Sequence, residues 1–299
     1  MSTVISPYEM LTTTAGQWWR GNLHTHTTES DGAFTPEEVV SDYERRGYHF
    51  LAITEHDRLS SRRRQLQSGT KMTLLAGCEV GGGPHILAIA IKGEVKPSSD
   101  RQAVINAIIQ QGGIAILNHP NWGRHFCHWE QSVLESLQDY VGIEIYNGVV
   151  EAEPGNPRAA DRWDMLLSAG RRVWGFAHDD FHYPGGMELG WIMVYAPIPP
   201  PGGGELERPD QSVLLESIRK GCFYASTGVA IQRISTSSDK MIVETANAQV
   251  IRFLGEHGRL VARVAGSSAE CQLPETGYLR AECYGSGDAI AWTQPVFCG

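Results

Sequence analysis

Several short stretches of this chain carry side chains that could share metal cations. His24-Thr25-His26 puts two imidazoles at i, i+2, and on extended backbone that spacing points both to one face, where they could grip one ion. With 11 histidines in 299 residues, chance alone supplies on the order of 0.4 such pairs per chain, so the pair is weak by itself. Asp31-Gly32 follows in a polar loop and is equally a turn aspartate. His56-Asp57 comes directly after the apolar run 50–53. Glu79 ends the run 74–78 with two oxygens that could bridge two ions, and His85 lies just past Gly81-Gly82-Gly83. Asn118-His119-Pro120 closes another apolar run. His178-Asp179-Asp180-Phe181-His182 follows the run 173–177, with Asp180 and His182 again at i, i+2.

Any one of these has an ordinary structural use, but together they share a pattern. His24, His26, His56, His119, Asp180 and His182 all fall at or just after the ends of separate predicted strands, and in a barrel or wound sheet those ends converge on one mouth. Independent explanations for each are implausible once they are counted as a set. Mixed imidazole and carboxylate donors suit Zn, Mn or Fe better than Mg or Ca. The chemistry such a cluster supports is hydrolysis by a metal-bound hydroxide, because coordination lowers the pKa of water to about 7 in favourable sites.

The elements that must position these residues read as a parallel α/β architecture. Strands are predicted at residues 21–26, 50–54, 73–79, 113–118, 142–146 and 173–177. Thr35-Pro36-Glu37-Glu38 reads as a helix start, with Thr35 as N-cap, Pro36 in the first turn and a stop near Gly47. Further helices are predicted at 100–111, 159–168 and 211–220, each ended by glycine. The prolines and glycines of 197–204 break the pattern. From about Val229 the chain reads as short strands and turns with one histidine, His257, so the chemistry is expected to lie upstream.

Hydrophobic residues are 41% of the chain and charged residues 20%, ordinary proportions for a folded protein. The net charge of −9 with thinly spread Lys and Arg leaves no basic stripe for a nucleic-acid backbone, so a small-molecule substrate is expected. The Arg62-Arg63-Arg64 run reads as a solvated helix face. Arg58, Asn121 and Arg124 are candidates for gripping an anionic substrate, and Asp57 and His178 for orienting metal ligands. The start of the chain lacks the pattern of a secretory signal and no window reaches membrane-spanning length, which gives a cytoplasmic expectation. The six cysteines form no CxxC pair and are expected as free thiols.

At this point the residues resemble the PHP (polymerase and histidinol phosphatase) metallohydrolases over about residues 18–228. The motifs that carry the resemblance are Gly21-Asn22-Leu23-His24-Thr25-His26 with Asp31-Gly32, Ile53-Thr54-Glu55-His56-Asp57, Asn118-His119-Pro120 and Asp180-Phe181-His182. The resemblance implies a distorted seven-stranded (β/α) barrel over 18–228, a small β-rich C-terminal region over 229–299, and two or three divalent ions at the barrel mouth. By analogy His24, His26, Glu79 and Asp180 would hold one ion, Glu79, His85 and His119 a second, and Asp31, His56 and His182 a third. Aspartate at position 31 is similar to the subgroup that hydrolyses phosphate esters. A second resemblance, to the branch containing carbamate-ester hydrolases such as carbaryl hydrolase, rests on 19–24, on 162–167 and on 221–228, and implies a carbamate or carboxylic ester substrate as the alternative. A non-catalytic metal-binding module is the third expectation.

Overall fold

Runs of β-branched and aliphatic residues long enough to cross one sheet, and buried along their whole length, set the architecture. β1 (Val4–Ile5) and a single helical turn, α1 (Met10–Thr13), lead into β2 (Gly16–Asn22). β3 (Phe50–Ile53), β4 (Thr73–Val80), β5 (Ile86–Ile89), β6 (Ile114–Leu117), β7 (Gly142–Asn147) and β8 (Trp174–His178) follow. β3, β5, β6 and β7 are buried at every position, as strands covered on both faces must be. The computed structural model describes residues 3–198 and 208–299.

The seven strands β2 to β8 pair in sequence order. β2, β3 and β4 are mutually parallel, as are β6, β7 and β8. β5 is the departure from a uniform (β/α) order. It runs antiparallel to both β4 and β6 and is joined to β4 by the tight turn at 81–85. The turn leaves no room for a crossover helix, and a direct turn between neighbouring strands requires the antiparallel sense. β8 and β2 do not share a ladder. They meet at a single parallel bridge between Thr25 and Phe181, reinforced by the His26 N–H donating to the Phe181 carbonyl at 2.9 Å. Gly21 leaves room for its β3 partner: a Cβ there would lie 2.1 Å from the Phe50 ring.

Helices α2 (Pro36–Arg45), α3 (Arg63–Gln67), α4 (Arg101–Gln110), α5 (Gln131–Ser136) and α6 (Ala160–Ser168) connect the strands. α2 begins with the expected Thr35 cap, closed into a reciprocal pair by Glu38, and Gly47 follows its end at φ 77°. α3 carries the arginine run on a half-open face, where Arg62 pairs with Glu37 and Arg63 donates to the Leu74 carbonyl.

β9 (Trp191–Pro197), which the sequence pattern does not announce, pairs antiparallel with β2. Pro197 ends that strand, and positions 199–204 of the predicted break lie outside the described residues. After α7 (Gln211–Arg219), β10 (Phe223–Ser226) pairs with β9 on one side. The remaining strands are β11 (Ile231–Thr236), β12 (Lys240–Thr245), β13 (Val250–Gly255), β14 (Arg259–Ala265), β15 (Ser268–Gln272), β16 (Gly277–Tyr284), β17 (Ile290–Thr293) and β18 (Val296–Cys298). β17 continues the sheet beyond β10, and β1 pairs with β18, so the sheet that contains β2 to β8 also takes in the first and last strands. β11, β12 and β15 form a separate three-stranded sheet. Arg280 of β16, fully buried, donates Nε and Nη2 to the two oxygens of Asp164 on α6 at 2.8 and 2.7 Å, a bidentate charge-assisted pair that fastens β16 to α6. All six cysteines are free thiols. Among the described residues no helix is long and apolar enough to cross a membrane.

Candidate metal centre

The strand ends deliver the predicted residues to one rim. Glu79 is the penultimate residue of β4, His56 follows β3, His119 follows β6, and Asp180 and His182 follow β8. His24 and His26 lie past the end of β2 rather than within a strand, held in place by the Thr25–Phe181 bridge. His85 precedes β5, and because β5 is antiparallel its N-terminal end sits on the same rim as the C-terminal ends of its neighbours. The last turn of backbone is unusual at two of these residues, His119 (φ 30°) and Asp180 (φ 51°), a left-handed conformation that costs energy for a side-chain-bearing residue and clusters at functional sites.

Glu79 is the centre of the arrangement. Its Oε1 lies 3.3 Å from His24 Nε2, 3.0 Å from His85 Nδ1 and 3.2 Å from His119 Nε2, and its Oε2 lies 3.5 Å from His26 Nε2 and 3.1 Å from His56 Nδ1. Asp180 Oδ1 is 3.1 Å from His24 Nε2 and 3.3 Å from His26 Nε2. Asp31 reaches His56 Nε2 at 3.2 Å, His182 Nε2 at 3.4 Å and His26 Nδ1 at 3.6 Å. All nine predicted ligands therefore meet. Seven of them line a pocket of about 160 Å³ together with Trp122, Val149 and Glu153, while His24 and His26 lie buried beneath.

These donor atoms fit divalent cations on two counts. His24 Nε2, both ring nitrogens of His26, His119 Nδ1 and Asp180 Oδ1 are buried without a hydrogen-bond partner, which is costly unless something else binds them. Ligands about 2.0–2.1 Å from one ion stand roughly 3.0–3.4 Å apart, in octahedral or tetrahedral arrangement respectively. The spacings of 3.1 and 3.3 Å around Asp180 are of that size.

Within the cluster the carboxylates and imidazoles shift one another. Burial pushes the Glu79 carboxyl up, but the surrounding imidazoles, His24 first, hold it well below the ordinary carboxylate range. Asp31 is lowered by its contacts with His182 and His56. Burial opposes protonation of His182, yet Asp31 and Asp180 raise it to about 9, and His24, His56 and His119 are also raised against burial by neighbouring carboxylates. His26, with no such net gain, is lowered to about 4 by burial.

A histidine whose folded pKa exceeds its unfolded value stabilises the fold fully below about pH 6.5, and that stabilisation disappears as pH rises through the folded value. Chelator-treated protein is therefore expected to lose melting temperature between about pH 6.5 and 9. Divalent ions, which take the place of those protons, should abolish the loss. Thermal melts across that range, with and without ions, test this; a chelated protein whose melting temperature is flat or rises would contradict it.

Several residues that hold the cluster together are given no such role by the sequence. Glu144, in the middle of β7, accepts from His24 Nδ1 at 2.7 Å, His178 Nδ1 at 2.8 Å, the His119 N–H at 2.8 Å and Asn147 Nδ2 at 2.8 Å. Asn118 donates to Glu79 Oε1 at 2.6 Å, and Asn147 also to Asp180 Oδ2 at 3.0 Å. Glu55 accepts from Thr27 and Ser30 and so fixes the loop that carries Asp31. His128 joins His85 and His119 as a third imidazole, with Nε2 accepting the His85 N–H at 3.0 Å. Burial lowers it to about 2 and keeps it an acceptor. Of the two proposed orienting groups, His178 rests on Glu144, while Asp57 accepts the Gly81 N–H at 2.6 Å and shapes the β4–β5 turn.

The three residues expected to grip an anionic substrate lie away from the lining of this pocket. Asn121 is buried, donating to the Arg158 carbonyl and to Asp161 and accepting from Arg162 Nε at 2.9 Å, so its amide is committed to joining two loops. Arg58 and Arg124 are exposed and are not among the residues lining the pocket. Sequence offered only their nearness to the metal motifs, and nearness in sequence does not fix direction. Among the described residues, none of those lining the pocket is Lys or Arg.

No family model matches the chain, and no curated protein matches it either. Solved structures do. A two-domain protein from Bacteroides vulgatus containing a predicted PHP-like metal-dependent phosphoesterase is 15% identical, covers 94% of this chain and 95% of its own, and superposes with a TM-score of 0.56. An amidohydrolase from Chromobacterium violaceum with bound sulfate and no metal is 18% identical over 66% of this chain and 96% of its own, with a TM-score of 0.45. A lesion-specific endonuclease from Pyrococcus furiosus is 13% identical over 69% of this chain and 56% of its own, with a TM-score of 0.46. Over nearly the full length of both chains, this protein has the fold of the two-domain PHP-like protein.

Proposed function

We propose that the chain is a PHP-family metallohydrolase that hydrolyses a small phosphate mono- or diester. The observation that carries this reading is the convergence of five imidazoles on the two oxygens of Glu79, beside buried donor atoms that have no hydrogen-bond partner among the described residues. His24, His26, Glu79 and Asp180 would hold one Zn, Mn or Fe ion, Glu79, His85 and His119 a second, and Asp31, His56 and His182 a third. When bound, such ions supply a nucleophile at neutral pH and neutralise charge developing on a phosphoryl oxygen.

The rest falls to the chain's own side chains. Glu79 keeps the sites close together, and Glu144 holds the proton of His24 on Nδ1 so that Nε2 faces the cluster unprotonated. His24 and His26, fully buried, close the bottom of the pocket against water. A carbamate or carboxylic ester remains the second reading, and one observation favours it: the lining offers no basic side chain to an anionic substrate.

The test is metal analysis of the purified protein with parallel hydrolysis of p-nitrophenyl phosphate and p-nitrophenyl acetate, before and after chelation and reloading. Reloading is expected to restore phosphate hydrolysis by on the order of a hundredfold or more over the chelated protein. Full activity without metal would rule out a metallohydrolase. Hydrolysis of the acetate alone would transfer the assignment to the ester reading.

A further inference from the structure

The wall of the pocket beside the candidate metal ligands is built as carefully as its floor. Trp122 and Glu153 come from different loops, the first after β6 and the second after β7, and are joined by the indole Nε1 donating to Glu153 Oε2 at 2.6 Å. Backbone hydrogen bonds stitch the loops together: the Gly123 N–H donates to the Pro154 carbonyl at 2.8 Å and the Asn156 N–H to the Asn121 carbonyl at 3.0 Å. The seam needs Gly155, at φ 147°, where a Cβ would lie 2.8 Å from the Asn121 carbonyl oxygen and 3.0 Å from the Trp122 Cα. The Trp122 ring packs against His119 and His128 at centroid distances of 5.0 and 4.9 Å, so the indole is set beside the metal ligands. Val149 adds an apolar side chain to the lining.

A cavity of about 160 Å³ is below the roughly 300–1,000 Å³ that encloses a whole drug-sized ligand, so it takes the reacting group and leaves the remainder of the substrate to lie along this wall. The wall offers an aromatic face, an apolar side chain and an exposed carboxylate, with no cation.

We infer that Trp122 and Glu153 select the leaving group, favouring a planar one that carries no negative charge and excluding anionic ones. The inference rests on the phosphoester reading only for the group that reacts. A flat ring gains from stacking on the indole, and a cationic substituent gains again from the ring face and the carboxylate. An anionic substituent meets Glu153 with no positive side chain in the lining to offset it.

The probes are methylphosphonate and three phenylphosphonates bearing hydrogen, 4-aminomethyl or 4-carboxylate, titrated calorimetrically into metal-loaded protein; the matching phenyl phosphates are assayed for hydrolysis. Wild type should bind the aminomethyl compound about fivefold or more tighter than the carboxylate, the scale of one partly exposed charge contact. Glu153→Gln should bring that ratio close to one while leaving methylphosphonate within about twofold. Trp122→Ala should weaken all three aryl compounds by about three- to tenfold and spare methylphosphonate, as the loss of one stacking face requires.

A wild-type ratio near one, or a ratio untouched by Glu153→Gln, would overturn the inference, as would Trp122→Ala weakening methylphosphonate as much as the aryl series. Metal content measured on each variant separates disturbance of the neighbouring His119 from loss of the wall. Selective phosphonate binding without hydrolysis of any phosphate would sink the phosphoesterase reading and leave the leaving-group assignment standing. No binding of any phosphonate would sink both.

Discussion

Glu79→Gln is expected to reduce kcat/KM by on the order of a thousandfold or more, with the fold intact. The two side chains have nearly the same shape, so packing in β4 should survive. What changes is the donor inventory. A carboxylate offers lone pairs on both oxygens to the five imidazoles around it. An amide offers lone pairs on one oxygen and turns an NH2 toward the others. Asn118 Nδ2, 2.6 Å from Oε1, biases the new amide oxygen to that side. The NH2 would then face His26 and His56, where it repels a cation and cannot ligate one. Metal analysis should show fewer bound ions per chain than wild type, and the activity that survives should not be restored by excess metal. Full metal content with near-normal turnover would remove Glu79 from the bridging role and with it the proposed arrangement.

Seven of the nine candidate ligands were legible because each is a metal-capable side chain at the end of a predicted strand, and strand ends converge whatever the intervening loops do; Asp31, in a polar loop, and His85 are the exceptions. His85 shows where that logic needed luck. It stands before its strand, and reaches the rim only because β5 is reversed, a consequence of the 81–85 turn that alternation of strands and helices did not anticipate. Glu144 was missed for the opposite reason. It lies inside a strand whose six positions are all buried, where a sequence pattern shows an acid among apolar residues but not the four donors that surround it. Trp122 and Glu153 are 31 positions apart, and only the Gly155 seam brings them together.

The C-terminal strands were legible as strands but not as partners. Pairing across a sheet depends on register between segments distant in the chain, and nothing local to β10 or β17 states that they are neighbours. Arg280 illustrates the point: an arginine in a β-rich tail reads as a surface residue, yet it is fully buried on Asp164, 116 positions away. α2 lies at the other extreme, since Thr35, Pro36, Glu38 and Gly47 state its beginning and end within the segment itself.

Glu144→Gln should weaken metal binding about 10- to 100-fold without any direct contact between this residue and the proposed ions, the usual cost of losing the partner that fixes a metal-ligating histidine. Burial alone would raise this carboxyl, but His24 and His178 hold it down at about 2, so it is ionised throughout the working range and both imidazoles donate Nδ1–H to it. Its other oxygen takes the His119 N–H and Asn147 Nδ2. A glutamine has one acceptor oxygen for these four donors. If that oxygen serves His119 and Asn147, the NH2 faces two Nδ1–H groups, and His24 is relieved only by moving its proton to Nε2, the atom that must ligate. If the amide is reversed, the His119 backbone N–H is left unpaired in the interior at about 1–3 kcal/mol, which displaces His119 instead. Either orientation damages a metal ligand from behind. The readout is a metal titration, with each protein's melting temperature in chelator as its own baseline: the rise on adding Zn or Mn to chelated protein should need a higher ion concentration in the variant. Equal metal affinity in the two proteins would show that His24 keeps its tautomer unaided and that Glu144 is only a buried structural acid.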